Sequence, residues 1–241
     1  GSLTLEPEQA TNYNVGLVWN SNSLQTRLDF WQVDYKDVIT LEDANGKLLA
    51  DPDGADIVRL VPGDPTSELT GIITNYFNAE TIDASGIDFE AAYSWGLDSG
   101  EVELKANVAH ILNYDIPING VFNHNNFARS MPETKGNLSA QWKNDQHSVY
   151  ARLNYVSSYT NTRVVPASTG LTDKIDAFMT VDMQYRYLAE LGDDQAEVTF
   201  GVINMFDEAP PEVYDAANFS YDPKHHDPRG RLVYVRAAYT F

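Results

Sequence analysis

The sequence predicts an all-β chain whose antiparallel strands form part of a transmembrane β-barrel, and three observations carry that expectation. Apolar and polar residues alternate with period two along nearly the whole length, several alternating runs reach 12 residues or more, and the connections between runs alternate between short turns and long loops. Period-two alternation is the signature of a strand with one apolar and one polar environment, because successive side chains point to opposite faces. Strands of soluble sandwiches and propellers usually run about 5–6 residues, so the longer runs favour a barrel. Tight turns on one side and long loops on the other are how outer-membrane barrels are built.

In chain order the strands fall at about 11–20, 23–39, 73–95, 101–114, 133–143, 147–160, 175–188, 195–206 and 231–241. The run from His147 to Tyr159 is the clearest, with Val149, Ala151, Leu153 and Tyr155 on one face and Ser148, Tyr150, Arg152 and Asn154 on the other. Val102, Leu104, Ala106 and Val108 alternate in the same way with Glu101, Glu103, Lys105 and Asn107, as do Met179, Val181, Met183 and Tyr185 with Thr180, Asp182, Gln184 and Arg186. The short turns are 20–22, 96–100, 144–146 and 189–194; the long segments are about 40–72, 115–132, 161–174 and 207–230. With Phe241 ending on the periplasmic side, backward counting makes every long segment extracellular and every short one periplasmic. Nine is an odd number, and bacterial single-chain barrels have an even number of strands, so these strands are expected to be a portion of a larger barrel.

Composition removes several function classes. No stretch approaches the roughly 18 consecutive apolar residues of a membrane-spanning helix, while a barrel strand of about 9–11 residues with every second one apolar agrees with the negative mean hydropathy. A formal charge of −19 leaves none of the concentrated Lys and Arg that phosphate backbones require, so nucleic acid is not an expected partner. Absence of cysteine removes disulfides, thiolate metal sites and cysteine nucleophiles. The first residues show no signal-peptide pattern, and Gly1-Ser2 has the form of a cloning scar.

Three strings resemble the C-terminal barrel region of TonB-dependent receptors. They are Leu5-Glu6-Pro7-Glu8 followed by Thr11 to Gly16; Ser85-Gly86-Ile87-Asp88-Phe89-Glu90, with Asp88 where the family more often has Glu; and Val202 to Asp207, then Pro210-Pro211, Tyr221-Asp222-Pro223 and Asp227-Pro228-Arg229-Gly230-Arg231, ending at Phe241. The order and spacing of the third are the strongest. The resemblance implies that residues 1–241 are the C-terminal portion of a 22-stranded barrel with a plugged lumen, the plug and the earlier strands being absent from this chain. It implies an outer-membrane receptor of a Gram-negative bacterium that binds a siderophore, vitamin, oligosaccharide or similar substrate at its extracellular loops. Import then uses energy from TonB. The implied partners are the TonB complex, reached through the plug, outer-membrane lipid, and a small-molecule or oligosaccharide substrate. A soluble all-β carbohydrate-binding or hydrolytic module is the alternative, and a passive porin a third reading.

No catalytic constellation, cofactor motif or metal-ligand spacing stands out. His225-His226-Asp227 has donor types that suit a transition metal, but neighbours on a strand face opposite ways, so a solvated loop is the preferred reading. The candidate ligand contacts are loop residues: Phe122, Tyr214, Phe219 and Tyr221 as stacking surfaces, and His124 and Asn125 as donors and acceptors for a polyol. Arg152, Asp182, Arg186, Glu197 and Arg236 are expected to line the lumen. The first long loop, with Glu42, Asp43, Asp51, Asp53, Asp56, Asp64 and Glu68 against Lys47 and Arg59, is acidic and disfavours a strongly anionic ligand.

Overall fold

The computed structural model describes residues 4–78, 82–118, 121–123, 131–161, 165–214 and 220–241, with the side chains of 116–118 and 121–123 outside the description. Nine long strands run through them: β1 (Gln9–Asn20), β2 (Leu24–Lys36), β3 (Ile82–Leu97), β4 (Gly100–Ile118), β5 (Thr134–Lys143), β6 (His147–Val156), β7 (Phe178–Leu191), β8 (Asp194–Ile203) and β9 (Leu232–Thr240). Each is hydrogen-bonded to its neighbours in sequence, in the order β1 to β9, within one sheet. Such a meander follows from the turns. Asn144 closes the β5–β6 hairpin by accepting the amides of Gln146 (3.0 Å) and His147 (2.7 Å) on its side-chain oxygen. Gly192, at φ 76°, supplies the left-handed residue of the β7–β8 turn.

The chain divides into two compact units, 14–30 with 86–112 and 127–241 in one, and 1–13 with 31–85 and 113–126 in the other. In the first unit, the register sorts side chains into rows across the strands. One row is Val102, Trp142, Val149, Tyr185, Phe200 and Val235, and the next is Leu104, Ala140, Ala151, Met183, Val202 and Val233. Every member is apolar or aromatic. The alternate rows are polar: Glu101, Lys143, Ser148, Arg186, Thr199 and Arg236, then Glu103, Gln141, Tyr150, Gln184, Gly201 and Tyr234. Burial is inverted relative to a water-soluble protein. Phe200 is 51% and Val235 63% exposed, whereas Ser148 and Thr199 are each only 4% exposed. Charged and polar residues are ordinarily the exposed ones, so an open apolar face beside a sheltered polar one identifies a sheet whose outer surface is not meant for water.

On the polar face Tyr234 closes over Gly201. Gly201 is paired with Tyr234 on one side and Gln184 on the other, and the tyrosine ring lies so close above Gly201 that a Cβ there would overlap it. The Tyr234 hydroxyl donates to Gln184 Oε1 at 2.9 Å, two strands from its own backbone.

In the second unit, the long loop after β2 has structure that the sequence reading did not anticipate. Asp37, at φ 55°, ends β2 three residues before the expected boundary. Ile39–Leu41 then pairs with Tyr76–Asn78, and Ile57–Arg59 with Leu69–Ile72. Between them a helix, α1 (Ala44–Ala50), is capped by the Asp43 side chain, which accepts from the amides of Asn45 and Gly46. Lys47 bridges Glu42 and Asp56, so part of the loop's acidity is neutralised internally. The expected strand 73–95 is therefore two elements, of which only Ile82–Leu97 joins the main sheet. The expected strand 147–160 likewise stops at Val156, and Tyr159–Thr160 pairs separately with Lys174–Ile175.

Gly201→Ala is expected to destabilise the protein by about 1–3 kcal/mol, as overpacking does, because the added methyl must displace the Tyr234 ring. Tyr234→Phe keeps the ring and loses only the hydroxyl bond, about 0.5–1.5 kcal/mol. Urea unfolding of the detergent-solubilised variants checks both the size and the order.

Candidate functional site

The site is assembled on the polar face of β6–β8 and the loops that follow it. Arg152, Asp182, Arg186, Glu197 and Arg236 share that face: Arg152 is opposite Asp182, Arg186 opposite Thr199, Thr199 opposite Arg236, and Glu197 is two residues from Thr199 on the same strand. Arg186 donates to Glu197 Oε2 at 3.3 Å and Thr199 to Glu197 Oε1 at 3.3 Å. Among the described residues Asp182 forms no ion pair. Its Oδ2 accepts from Asn154 Nδ2 and its Oδ1 from the backbone N–H of Asn204, each at 2.9 Å. Arg152 Nε is buried and has no hydrogen-bond partner among the described residues.

Where β8 ends, side chains replace the strand ladder. Asn204 takes a left-handed φ of 50° and Asp207 one of 60°, which these short polar residues tolerate because they bond to nearby backbone. Asn204 closes a ring with Glu208, accepting its N–H and donating to its C=O, both at 2.9 Å. Asp207 Oδ1 accepts the N–H of Arg231 at 2.8 Å, and Arg231 NH1 reaches Met205 O at 3.3 Å. Gly230, at φ 65°, leaves room for the Asp207 carboxylate. The loop from 207 to 230 is thus cinched at its base, which is the physical content of the Asn204…Asp207…Gly230-Arg231 string.

Above the base lies a small core of Tyr159, Ile175 and Val213, with Val156 against it. His226 packs edge-on to Phe178, with ring centres 5.1 Å apart. The Tyr159 hydroxyl donates to Asp222 Oδ2 at 3.2 Å and meets His226 Nε2 at 2.9 Å, which places the His226 proton on Nε2 and leaves Nδ1 bare, buried and without a partner among the described residues. Burial pushes the Tyr159 hydroxyl well above its ordinary value, helped by the Asp222 charge. Burial also lowers His226, outweighing Asp222, while His225 and Lys135 add to the lowering. His225 is held by Lys135 Nζ at 2.7 Å. The two histidines are in a turn headed by Asp222, not on a strand, and among the described residues no group of His, Asp and Glu is set to hold a metal ion.

Two cavities border this region. One of about 270 Å³ is enclosed by Asn154, Phe178, Thr180 and Asp182 on the sheet and by His225 and Asp227 from the loop. Another, of about 540 Å³, continues along the polar face past Asn154 and Arg152 to Asn137 and Asn107. Tyr214 and Tyr221, both half-buried, belong to the capping loop; Tyr214 O accepts from Asn161 Nδ2 at 2.8 Å. Phe122 pairs through its backbone with Pro117, its side chain being outside the described residues, as are His124, Asn125 and Phe219 altogether. The sequence reading missed Tyr159, Asn154 and Thr180 as site residues. The only signal for Tyr159 was its position at the end of an alternating run.

A family model described as TonB dependent receptor-like, beta-barrel, matches residues 1–205. Comparison with curated protein sequences gives no match. Among solved structures, the chain is similar to the ferric enterobactin receptor of Pseudomonas aeruginosa in a mutant form (16% identity, TM-score 0.60, 97% of this chain and 31% of that one). It is also similar to the siderophore receptor PirA of Acinetobacter baumannii (16%, 0.62, 98% and 32%) and to the FrpB iron transporter of Neisseria meningitidis (15%, 0.59, 98% and 32%). At these identities the likeness is one of fold, and the chain spans under a third of each of those proteins.

The Tyr159–His226–Asp222 network makes the capping loop sensitive to acid. A histidine whose folded value lies below its unfolded value of about 6.5 leaves the native state short of a proton, so its contribution is intact above the unfolded value. It is lost as pH falls toward the folded one. Hydrogen exchange at 222–226 is expected to quicken from pH 7 to pH 5, and His226→Phe, which cannot titrate, should flatten that change.

Proposed function

This chain belongs to the TonB-dependent receptor β-barrel family, and from that premise we propose that it is the C-terminal portion of an outer-membrane receptor that imports a substrate with energy drawn from TonB. The observation that carries the proposal is the inverted sheet. A face of Val102, Trp142, Val149, Tyr185, Phe200 and Val235 is six strands wide and open, and lipid is the environment in which such a face is stable. A soluble carbohydrate-binding or hydrolytic module would have to cover it.

On this reading the polar face borders the lumen. Arg152, Asp182, Arg186, Glu197 and Arg236 meet water and the plug domain, which belongs to a part of the receptor outside this chain along with the contact to the TonB complex. Substrate arrives through the loop side, where Tyr214 and Tyr221, together with Phe122, His124, Asn125 and Phe219, are the candidate contacts. The named iron-siderophore receptors among the similar structures supply one substrate class. The coverage of under a third of those chains agrees with a portion of a larger barrel.

Expression of the full-length receptor in a Gram-negative host tests the proposal. It is expected in the outer-membrane fraction, extractable only with detergent, and to support substrate-dependent growth that disappears when TonB is deleted. Recovery of this region as a detergent-free monomer in the periplasm would contradict it.

A further inference from the structure

The cavity of about 270 Å³ beneath the capping loop is lined on the sheet by side chains with hydrogen-bonding capacity to spare. Asn154 spends its amide N–H groups on Thr180 Oγ1 (3.3 Å) and Asp182 Oδ2 (2.9 Å), which leaves its Oδ1 as an acceptor. Thr180, accepting from Asn154, keeps its own O–H to donate. Asp182 takes one N–H on each oxygen and retains a lone pair on each. Asp227 is held on both oxygens by Arg229 Nε at 2.9 Å, and His225 is engaged by Lys135 Nζ at 2.7 Å. Asn204 gives one N–H and one lone pair to Glu208 and keeps a second of each.

On two adjacent strands the groups with spare capacity are two acceptors, Asn154 and Asp182, and a donor, Thr180, with Asn154 directly opposite Thr180 and Asp182 two residues on; Asn204, just after β8, adds one of each. Their chemistry selects among ligands. An anionic group meets two acceptors, one of them the Asp182 carboxylate. An apolar group leaves all three unpaired in a half-buried site. An isolated cation finds Asp182 already bonded twice and Arg152 opposite it in the register. Adjacent hydroxyls, each of which donates and accepts, satisfy all three. Beside the polar groups, Val156 and Phe178 form an apolar cross-strand pair suited to the C–H face of a ring. The volume lies just under the roughly 300–1,000 Å³ of drug-sized ligand sites, which fits one small ring and not a whole siderophore.

We propose that this cavity is a subsite for one hydroxyl-rich ring, a sugar or cyclic polyol unit of the substrate, read by Asn154, Thr180 and Asp182. The proposal rests on the receptor reading above only for how the ligand arrives; binding at the subsite is independent of TonB.

The test uses the purified full-length receptor in detergent, with glucose, galactose, mannose, xylose and myo-inositol as probes and sodium acetate and methylammonium chloride as charged comparators. Saturation-transfer NMR and calorimetry are expected to find binding of at least one polyol and of neither comparator. Thr180→Val, nearly isosteric, and Asn154→Ala should each weaken it tenfold or more, with the unfolding midpoint of Thr180→Val lowered only by the one long bond from Asn154 that it loses. Absence of binding by every polyol, equal binding by the Thr180→Val variant, or competition by acetate overturns the subsite. Any of these leaves outer-membrane location and TonB-dependent growth untouched, so failure here is distinct from failure of the receptor reading.

Discussion

The sheet depends on its backbone finding hydrogen bonds within itself, the constraint that lipid imposes on the outer-membrane family to which this chain belongs. A strand can do so only with a neighbour on each side, and the neighbour must be in the one register that keeps apolar side chains together. A slip of a single residue would carry every apolar side chain to the polar face and every charge to the apolar one. The rows observed across β4 to β9 show that no strand has slipped. Tyr234 reinforces this by spanning Gly201 to reach Gln184: two residues along is the nearest alternative register that preserves the faces, and it would leave the ring over a residue with a side chain.

The same constraint explains the strand ends. Once the ladder stops, each freed amide needs another acceptor, and the chain supplies short polar side chains at the exit points. Asn204 and Asp207 do this after β8, Asn144 in the β5–β6 turn, and Asp43 at the start of α1. These residues accept left-handed or capping conformations because their side chains bond to the adjacent backbone. The loop that follows β8 is consequently tied at its base, which allows a buried network of Tyr159, Asp222 and His226 to form above it.

How much of this was legible in the sequence follows from the range of each interaction. All nine strands, the four short turns and the common face of Arg152, Asp182, Arg186, Glu197 and Arg236 rest on period two and local turn chemistry, which can be read within a dozen residues. The helix at 44–50 escaped because seven residues give scarcely two turns of periodicity. Tyr159 and His226 are separated by 67 residues, and nothing at either position announces the other. Strand ends shifted for the same reason: the alternation of 147–160 continues in the sequence, but Tyr159–Thr160 finds a different partner strand.

Along the polar face charged and neutral rows are interleaved. Nearest the short turns the rows carry opposite charges that pair, Lys143 with Glu101 at 3.2 Å and Arg186 with Glu197 at 3.3 Å. Such half-exposed pairs contribute little energy but tolerate water. Further along comes the row Asn107, Asn137, Asn154 and Thr180, neutral throughout, and then Ala109, Lys135, Val156 and Phe178 beneath the capping loop. Between the ion pairs and that neutral row lies the row Lys105, Ser139, Arg152 and Asp182, and Lys135 carries charge to the loop side. Amides and hydroxyls are therefore never more than two residues along a strand from a charged row, and the charges that do not pair, such as Asp182, are held by neutral donors instead.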